Sequence, residues 1–318
     1  MIIKSWCRTI FLIVIVIFSS SLLAKPAFIG NLKLGGCAFG VAVSGNHVYV
    51  ATGSRGLQIV DVEDKEAPVL IGSLDIHDIA LGVTVMGNYA YVTSYDKGLQ
   101  IINIENPMVP VLVGSLSLSG YAFEITVVGN YAYVAVDDGR LQIIRVENPA
   151  APALVGNLSL GGYAFGMTVA GNYAYVTVGG KELRVIDISK PAAPVLVCSL
   201  NLSGYAFGVA ASGDYVYVAD AIGLKIINIY DPLKSKLALI GKTVDGKAHR
   251  VAVIGNHAYV MDMVNGVLKT VGIKNPKAPV LIYSSNTDSV AWEMAVANDY
   301  IYVASGNAGL NICESPTG

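Results

Sequence analysis

The sequence predicts an all-β fold, a seven-bladed β-propeller built from four-stranded antiparallel blades. Three observations predict it: a phrase that recurs seven times, four short β-rich runs within each interval, and terminal segments that complement each other. A fixed period of about 42 residues indicates an array of one supersecondary unit, and this is the size of a propeller blade. The phrase is centred on a turn dipeptide that begins at Gly45, Gly87, Gly129, Gly171, Gly213, Gly255 and Asn298.

Each interval contains four predicted strands, as the copy from Ser117 to Leu158 illustrates. Its apolar runs are GYAFEITVV, YAYVAV, LQIIRV and ALVGNL, and they are separated by GN, DDGR and ENPAAP. The Gly-Asn pair suits a two-residue hairpin of type II′, in which glycine supplies the positive φ. The Asn-Pro segment ends the third strand, because proline has no N–H to donate to a ladder. No segment between these turns has the 3.6-residue period of a helix, which argues against an α-solenoid.

The second strand of each blade predicts how the blades pack. In YAYV, Tyr131 and Tyr133 point to one face of the sheet, and Ala132 and Val134 point to the other. Twelve of the 18 tyrosines lie in this doublet, and histidine replaces the first tyrosine in two blades. Large residues on one face and small residues on the other let successive sheets interlock. We therefore interpret these tyrosines as packing residues.

The two ends of the array predict ring closure. The last blade stops at GLNICE, which corresponds to a third strand, so it lacks a fourth. The segment PAFIGNLKL, Pro26 to Leu34, matches the fourth-strand phrase PVLVGSLSL, Pro110 to Leu118. We expect the N-terminal segment to complete the seventh blade and so protect the sheet edges of an open array.

The first 24 residues have the plan of a secretion signal. Lys4 and Arg8 precede an apolar core from Ile10 to Phe18, and SSSLLA follows. This core is too short for a membrane span of about 20 residues. We predict cleavage after Ala24, which leaves residues 25–318 as a single propeller domain without a stable membrane span. The expected location is extracytoplasmic: secreted, periplasmic or on the cell surface. A retained N-terminal anchor is the alternative.

Composition narrows the function classes. Hydrophobic residues make up 53% of the chain and charged residues 14%, against roughly 25% charged in typical soluble domains. Basic and acidic residues nearly balance, at 21 and 23, and no Lys/Arg run occurs, so nucleic-acid binding is not expected. Three cysteines follow the leader, without a Cys-x-x-Cys or Cys/His cluster. We therefore predict no metal site and no cofactor. A Cys37–Cys313 disulfide stays open as an alternative if the ends of the array meet.

The third and fourth strands carry a family resemblance. The phrases GLQIVDVEDKEAPVLIG, GLQIINIENPMVPVLVG and LRVIDISKPAAPVLVC resemble the LVIVD repeat, found in predicted bacterial and archaeal surface or secreted propellers. The resemblance covers essentially all of Pro26 to Glu314. It implies an extracytoplasmic location. The family has no agreed chemistry, so the resemblance implies no catalytic residues.

Departures from the repeat identify the candidate site. The phrase GYAFG leads into the innermost strand, and its last residue is predicted to form a ring at the mouth of the axial channel. That ring position holds Gly40, Gly82, Glu124, Gly166, Gly208, Arg250 and Glu293. The aromatic position before it holds Phe39, Leu81, Phe123, Phe165, Phe207, His249 and Trp292. Blades six and seven therefore bring four unusual side chains together, with Glu124 across the channel.

The candidate ligand-binding residues are Glu124, His249, Arg250, Trp292 and Glu293. One interpretation is a structural ion pair between Arg250 and Glu293 that satisfies two partly buried charges. A second is a ligand site in which the arginine binds an anionic group and Trp292 supplies an apolar surface. A third is a catalytic His249–Glu293 pair, although no nucleophile or metal accompanies it.

These interpretations leave three hypotheses for function. The first is a secreted or cell-surface scaffold that binds an extracytoplasmic protein or glycan without catalysis, through the channel face or its aromatic loops. The second is a hydrolase or lyase that acts on an anionic saccharide or peptide with His249, Arg250 and Glu293. The third is a structural component of the cell envelope. The first is favoured because the scaffold is symmetric and catalytic motifs are missing from the sequence.

Overall fold

A computed structural model of the chain describes residues 28–229, 238–243, 247–287 and 290–315. These residues form 28 β-strands in seven separate four-stranded antiparallel sheets, which confirms the predicted propeller. Within these ranges the chain contains no helix able to span a membrane. The predicted signal peptide, residues 1–24, lies outside the described residues.

The strands follow one another in a regular order. The first strand is β1 (Phe28–Leu32). Blade one contains β2 (Gly40–Ser44), β3 (His47–Ala51), β4 (Leu57–Asp61) and β5 (Val69–Leu74). Blade two contains β6 (Ala80–Met86), β7 (Tyr89–Ser94), β8 (Gly98–Asn103) and β9 (Val111–Leu116). Blade three contains β10 (Ala122–Val128), β11 (Tyr131–Val136), β12 (Arg140–Arg145) and β13 (Ala153–Ser159).

The remaining blades repeat this order. Blade four contains β14 (Ala164–Ala170), β15 (Tyr173–Val178), β16 (Glu182–Asp187) and β17 (Val195–Asn201). Blade five contains β18 (Ala206–Ser212), β19 (Tyr215–Asp220), β20 (Gly223–Asn228) and β21 (Ala238–Lys242). Blade six contains β22 (Arg250–Ile254), β23 (His257–Asp262), β24 (Val267–Gly272) and β25 (Val280–Asn286). Blade seven contains β26 (Glu293–Ala297), β27 (Tyr300–Ala304) and β28 (Leu310–Glu314).

The hairpin between the first and second strands has the predicted turn in six of the seven blades. In six blades the first turn residue is a glycine with φ between 54° and 59°, as a type II′ turn requires. The seventh turn differs, since Asn298 and Asp299 both have positive φ, 48° and 63°. Two left-handed residues are the signature of a type I′ turn, which Asn and Asp tolerate.

The N-terminal strand closes the ring as predicted. β1 pairs antiparallel with β28 and becomes the outermost strand of blade seven. A Cβ atom added to Gly30 in β1 would lie 2.0 Å from the carbonyl oxygen of Lys65 in blade one. The same 2.0 Å approach joins Gly72 of blade one to Pro107 of blade two. The contact between blades seven and one, where the ring closes, is therefore the same as the contact between two blades that follow each other in the chain.

The blades interlock through the faces of their second strands. Tyr133 of blade three packs against Ala174 and Val176 of blade four in one buried cluster. The second tyrosine of the doublet is buried in every blade, at Tyr49, Tyr91, Tyr133, Tyr175, Tyr217, Tyr259 and Tyr302. Burial raises the pKa of Tyr175 and of Tyr302 to about 12. The predicted packing role of these tyrosines is confirmed.

The cysteines at the two ends do not form a bridge. Cys37 and Cys313 are both free thiols. Cys313 is buried in the core of blade seven, and burial raises its pKa to about 12. The Sγ atom of Cys37 lies near Gly306 instead, 3.7 Å from the position of an added Cβ atom. Ring closure therefore rests on strand pairing and packing.

Candidate functional site

The ring position at the channel mouth explains why glycine recurs there. A Cβ atom added to Gly40 would lie 2.7 Å from the carbonyl oxygen of Leu81 in the next blade. At Gly166 the corresponding distance, to the carbonyl oxygen of Phe207, is 2.2 Å. The innermost strands of neighbouring blades therefore approach too closely for a side chain at these positions. Close packing of neighbouring blades therefore explains the glycines in this ring. It does not explain the three charged residues.

The innermost strands enclose a cavity on the propeller axis. Its volume is about 500 Å³, within the range of small-molecule sites in proteins. Its floor is mainly apolar, and all seven blades contribute to it through Val41, Val83, Ile125, Met167, Val209, Val251 and Met294. Its titratable lining residues, within the described chain, are Glu124, Arg250 and Glu293. Four of the five predicted site residues, Glu124, Arg250, Trp292 and Glu293, thus line one cavity, and His249 is not among the lining residues.

Arg250 is the centre of the charged group. Its Nε donates a hydrogen bond to Glu293 Oε2 at 2.8 Å, and its Nη2 lies 3.5 Å from Glu124 Oε1 across the channel. Its Nη1 donates to the carbonyl oxygen of His249 at 3.4 Å. Glu293 is held further by the backbone N–H of Met294, which donates to Oε1 at 2.9 Å. The guanidinium and Glu293 therefore form an oriented pair.

The two carboxyl groups differ in their surroundings. Burial, with the nearby charge of Glu293, raises the pKa of Glu124 to about 8, although Arg250 acts in the opposite direction. Burial disfavours the charge of Arg250, but the carboxylates of Glu293 and Glu124 outweigh it and hold the arginine pKa above its ordinary value. At neutral pH Glu124 is therefore mostly protonated, while Arg250 keeps its charge.

His249 lies behind the cavity lining. Its Nδ1 accepts a hydrogen bond from the backbone N–H of Met263 at 3.2 Å and lies 3.6 Å from Asp262. An imidazole nitrogen that accepts a bond carries no proton, so the ring is neutral. Burial also lowers the histidine pKa, with Arg250 and Lys247 acting in the same direction and Asp262 against it. The structure gives no contact between the His249 side chain and Glu293.

Aromatic side chains surround the mouth of the cavity. Trp292 lines the cavity and meets Phe39 edge to face, with ring centroids 5.3 Å apart. On the other side Phe207 contacts Phe165 at 5.8 Å and His249 at 4.8 Å. Aromatic pairs in this geometry add roughly 0.5–1.5 kcal/mol to simple burial. His249 thus belongs to the aromatic rim, and Trp292 belongs to both rim and cavity.

The loops around the mouth expose further aromatic surface. Tyr163 is 64% exposed, Tyr205 55% and Phe123 46%. Tyr205 also covers Gly180 of the preceding blade, and Tyr121 stacks on Tyr95 with centroids 3.7 Å apart. These aromatics therefore seal contacts between blades with one part of their surface and present another part to solvent.

One buried ion pair was not predicted from the sequence. Lys225 pairs with Asp220 inside blade five, and both side chains are almost fully buried. Asp220 Oδ1 also accepts hydrogen bonds from the backbone N–H groups of Ile222 and Gly223. The signal was available, since Lys225 occupies the third-strand position that holds glutamine in blades one to three. This pair stabilises a hairpin and does not line the cavity.

Metal coordination has no site in the parts of the chain that the structure describes. Those parts contain no group of three His, Cys, Asp or Glu side chains close enough to hold an ion. Asp262, at the end of β23, accepts backbone hydrogen bonds from Val264 and Asn265 instead. Its role is that of a turn residue.

The chain matches a protein-family model along most of its length. The family model described as LVIVD repeat matches seven consecutive segments, residues 35–76, 79–117, 119–159, 161–201, 203–243, 245–287 and 289–313. Each segment contains the first three strands of one blade, and all but the last extend to its fourth strand. The search against curated proteins finds no significant match.

Several solved structures share the fold. A computationally designed protein, Ika8, has a TM-score of 0.67 at 10% identity and covers 91% of this chain and 100% of its own. BamB from Moraxella catarrhalis has a TM-score of 0.61 at 16% identity, covering 89% of this chain and 84% of its own. Sqt1 from Saccharomyces cerevisiae has a TM-score of 0.70 at 7% identity, covering 92% of this chain and 99% of its own. At these identities the similarity shows the fold alone.

Proposed function

For this chain, which belongs to the LVIVD repeat family, we propose a non-catalytic binding role at the mouth of the propeller channel. The partner is an extracytoplasmic protein or glycan, and the protein acts outside the cytoplasm, in secreted, periplasmic or surface-bound form. The observation that carries the proposal is the cavity of about 500 Å³ at the place where the repeat departs from its pattern. The leader-like N-terminal sequence supports the location.

Exposed aromatic loops supply the surface of the proposed interaction. Tyr163 and Tyr205 flank the channel mouth and offer large, rigid contact areas. Aromatic residues of this kind are enriched among the energetically dominant residues of interfaces. They also stack on the apolar faces of sugar rings, so the same surface suits a glycan. A partner anchored here would extend a small group into the cavity.

The location is tested by N-terminal sequencing of the protein expressed in its native host. Cleavage after Ala24 and recovery in the extracytoplasmic fraction are the expected results. A full-length protein recovered with the cytoplasm would remove the basis for an extracytoplasmic partner.

The binding surface is tested with a glycan and peptide array. The double variant Tyr163→Ser/Tyr205→Ser should lose the ligands that the wild-type protein binds. The matched control is Val128→Ser/Ile254→Ser, because Val128 and Ile254 are similarly exposed at the ends of innermost strands, on the opposite face. Equal loss in both double variants would contradict a binding role for the mouth.

The hydrolase or lyase hypothesis draws less support from the site. Its proposed acid or base, His249, accepts a hydrogen bond from Met263 and is not among the residues that line the cavity. A general base has to reach the proton that it removes, directly or through one water. Turnover of an anionic saccharide or peptide that disappears in Arg250→Ala would revive this hypothesis.

The structural-envelope hypothesis has its own observation, an apolar band around the rim. The outermost strands expose large aliphatic residues at Val69, Leu70, Val111, Leu112, Leu154, Val195, Leu196, Leu239, Val280 and Leu281. Exposed apolar surface of this extent often marks an interaction site. Self-association in solution, measured by light scattering and abolished by Val111→Lys/Val195→Lys, would favour this role over the channel-mouth role.

A further inference from the structure

The chemistry of the cavity goes one step beyond the proposed binding role, on which this inference rests. Two carboxyl groups and one guanidinium face the same space. With all three ionised, as at a pH above the pKa of Glu124 of about 8, the group carries a net charge of −1. The lining contains no further titratable residue among those described, so nothing in the cavity itself offsets that charge.

Arg250 is poorly placed to receive an anion. Its Nε, Nη1 and Nη2 atoms already face Glu293, the carbonyl oxygen of His249 and Glu124 respectively. An incoming carboxylate would have to share the guanidinium with two carboxyl groups that already contact it, and would be repelled by them when they are ionised. Removing a partner from a partly buried charge is costly, because the charge that remains behind loses its compensation. Of the interpretations that the sequence left open, the geometry supports the structural ion pair with Glu293 over an arginine that binds an anion.

Glu124, in contrast to Arg250, has few contacts with the protein. Its carboxyl group makes an ion contact with Arg250 at 3.5 Å, and within the described chain it accepts no hydrogen bond. By contrast, Glu293 accepts one hydrogen bond from Arg250 and another from the backbone of Met294. About one-fifth of the Glu124 side chain is exposed, and it faces the cavity. Glu124 is therefore the carboxyl group with capacity for another donor.

The rest of the lining suits the stem of a cation. The floor is built from aliphatic side chains, and Phe39, Phe123 and Trp292 surround the entrance. An alkyl chain would replace water against the aliphatic floor, and an ammonium group would be attracted to the negative face of an aromatic ring. A ligand with an apolar stem and one positive charge would therefore fit both the aliphatic floor and the aromatic entrance with its carboxyl group.

We propose that the cavity binds a primary alkylammonium group, with Glu124 as its counter-ion and the aromatic rim as its entrance. A free amine and a lysine side chain on a partner protein share this chemistry. The ammonium group donates to the Glu124 carboxylate, and the bound state has no net charge. Glu124 must be ionised in that state, so a proton leaves the site when the cation arrives.

Proton release gives the binding step a distinctive signature. In the unliganded protein Glu124 has a pKa of about 8. Its carboxyl group is therefore mostly protonated at about pH 7 and mostly ionised at about pH 9. Binding at the lower pH should release close to one proton, and binding at the higher pH should release almost none. Alkylamines keep their charge at both pH values, since amines of the lysine type have a pKa near 10.4. Affinity should therefore rise up to about tenfold between the two conditions.

The test uses three probes of matched size: hexylamine, hexan-1-ol and hexanoate. Isothermal titration calorimetry at about pH 7, in two buffers with different ionisation enthalpies, measures affinity and proton release together. Hexylamine should bind at least about tenfold more tightly than hexan-1-ol, and hexanoate should bind more weakly than either. A lysine derivative, Nα-acetyl-lysine amide, distinguishes the two sources, because a site for protein lysines should bind it at least as well as hexylamine.

Two variants of Glu124 complete the test. Glu124→Gln should weaken hexylamine binding at about pH 9 by about tenfold and abolish proton release, while hexan-1-ol affinity stays the same. Glu124→Gly removes the whole side chain. It introduces the residue that four other blades carry at the ring position, so we expect the variant to fold. Thermal unfolding of both variants establishes that the propeller is intact.

Two outcomes would overturn the inference. Hexanoate binding more tightly than hexylamine would make Arg250 the receptor of an anion. Hexylamine binding that is unchanged by Glu124→Gln and releases no proton would place the cation elsewhere. Either result leaves the proposed binding role intact if array ligands still depend on Tyr163 and Tyr205, so the two failures can be distinguished.

Discussion

Blades four and five differ from blades six and seven at one backbone position. The first pair carries Gly166 and Gly208 at the channel mouth, and the second pair carries Arg250 and Glu293. In the first pair, an added Cβ atom would lie within 2.8 Å of a carbonyl oxygen of the next blade. In the second pair the side chains turn into the cavity and pair with each other.

The strands that carry these positions differ as well. β14 and β18 have seven residues each, with a bulge just before the ring glycine. β22 and β26 have five residues each, begin at the charged residue and pair without a shift. The comparison teaches that one ring position can serve either close packing or charge. Strand length does not follow the charge, because β10 carries Glu124 with seven residues and a bulge, whereas β2 carries Gly40 with five residues and no bulge.

The largest predicted effect comes from removing the central charge. Arg250→Ala leaves two carboxyl groups facing each other, and we expect it to lower the free energy of unfolding by about 3 kcal/mol at about pH 8.5. Urea denaturation measures the change. The control is Arg250→Ala/Glu293→Ala, which should recover part of the loss because the unpaired carboxylate is gone. A single variant as stable as wild type would mean that the pair is only a surface contact.

The next largest effect on stability is expected at a ring glycine of blade four. Gly166→Ala puts a methyl group 2.2 Å from the carbonyl oxygen of Phe207, so we expect a loss of about 2 kcal/mol in the free energy of unfolding. Glu124→Gly is the matched reverse change and should alter stability by less than about 1 kcal/mol at neutral pH. Similar losses in both variants would show that the two kinds of ring position are not distinct.

Stability should depend on pH through Glu124. Its pKa is raised from 4.5 to about 8 in the folded state, so the folded protein binds more protons than the unfolded chain between these values. Stability therefore falls as pH rises from about 4.5 to about 8. We expect roughly 1–2 kcal/mol of this decline to disappear in Glu124→Gln, since partial exposure reduces the full effect. Identical pH profiles of the free energy of unfolding for the two proteins would contradict the burial of this carboxyl.

The smallest predicted effect concerns the aromatic contact between blades one and seven. A double-mutant cycle of Phe39→Leu and Trp292→Leu should give a coupling energy of about 1 kcal/mol, because the two rings meet edge to face. Chemical denaturation of the two single variants and the double variant measures it. The pair Phe165 and Phe207 in blades four and five should give a similar value, as a control for an aromatic contact without neighbouring charge.

The sequence predicts most of the fold, because the repeat fixes both the strands and their order. The closing role of Pro26 to Leu34 follows from its match to a fourth strand, and β1 occupies that place. The convergence of Arg250 and Glu293 follows from their equivalent positions on neighbouring blades. Glu124 is three blades away from Arg250, and the predicted ring already placed it across the channel.

Side-chain direction is the part that the repeat could not supply. His249 occupies an aromatic position, and its contacts with Met263 and Asp262 arise from the hairpin of its own blade. A pattern of positions does not determine this direction, because it depends on loop geometry. The sequence offered the Arg250–Glu293 pair as one interpretation. The partners of the other two guanidinium nitrogens, the carbonyl oxygen of His249 and Glu124, depend on side-chain direction and become clear only in three dimensions.

The pairing of β1 with β28 has a consequence for the order of folding. Asn31 and Asn311 form a hydrogen bond across a sequence separation of 280 residues. Contacts between such distant segments form late, because loop closure costs entropy until the intervening blades have shortened the loop. Blade seven, which this contact completes, also supplies Glu293 and Trp292 to the cavity. During refolding, we expect ligand binding to appear in step with this last pairing, later than the bulk of the β-structure.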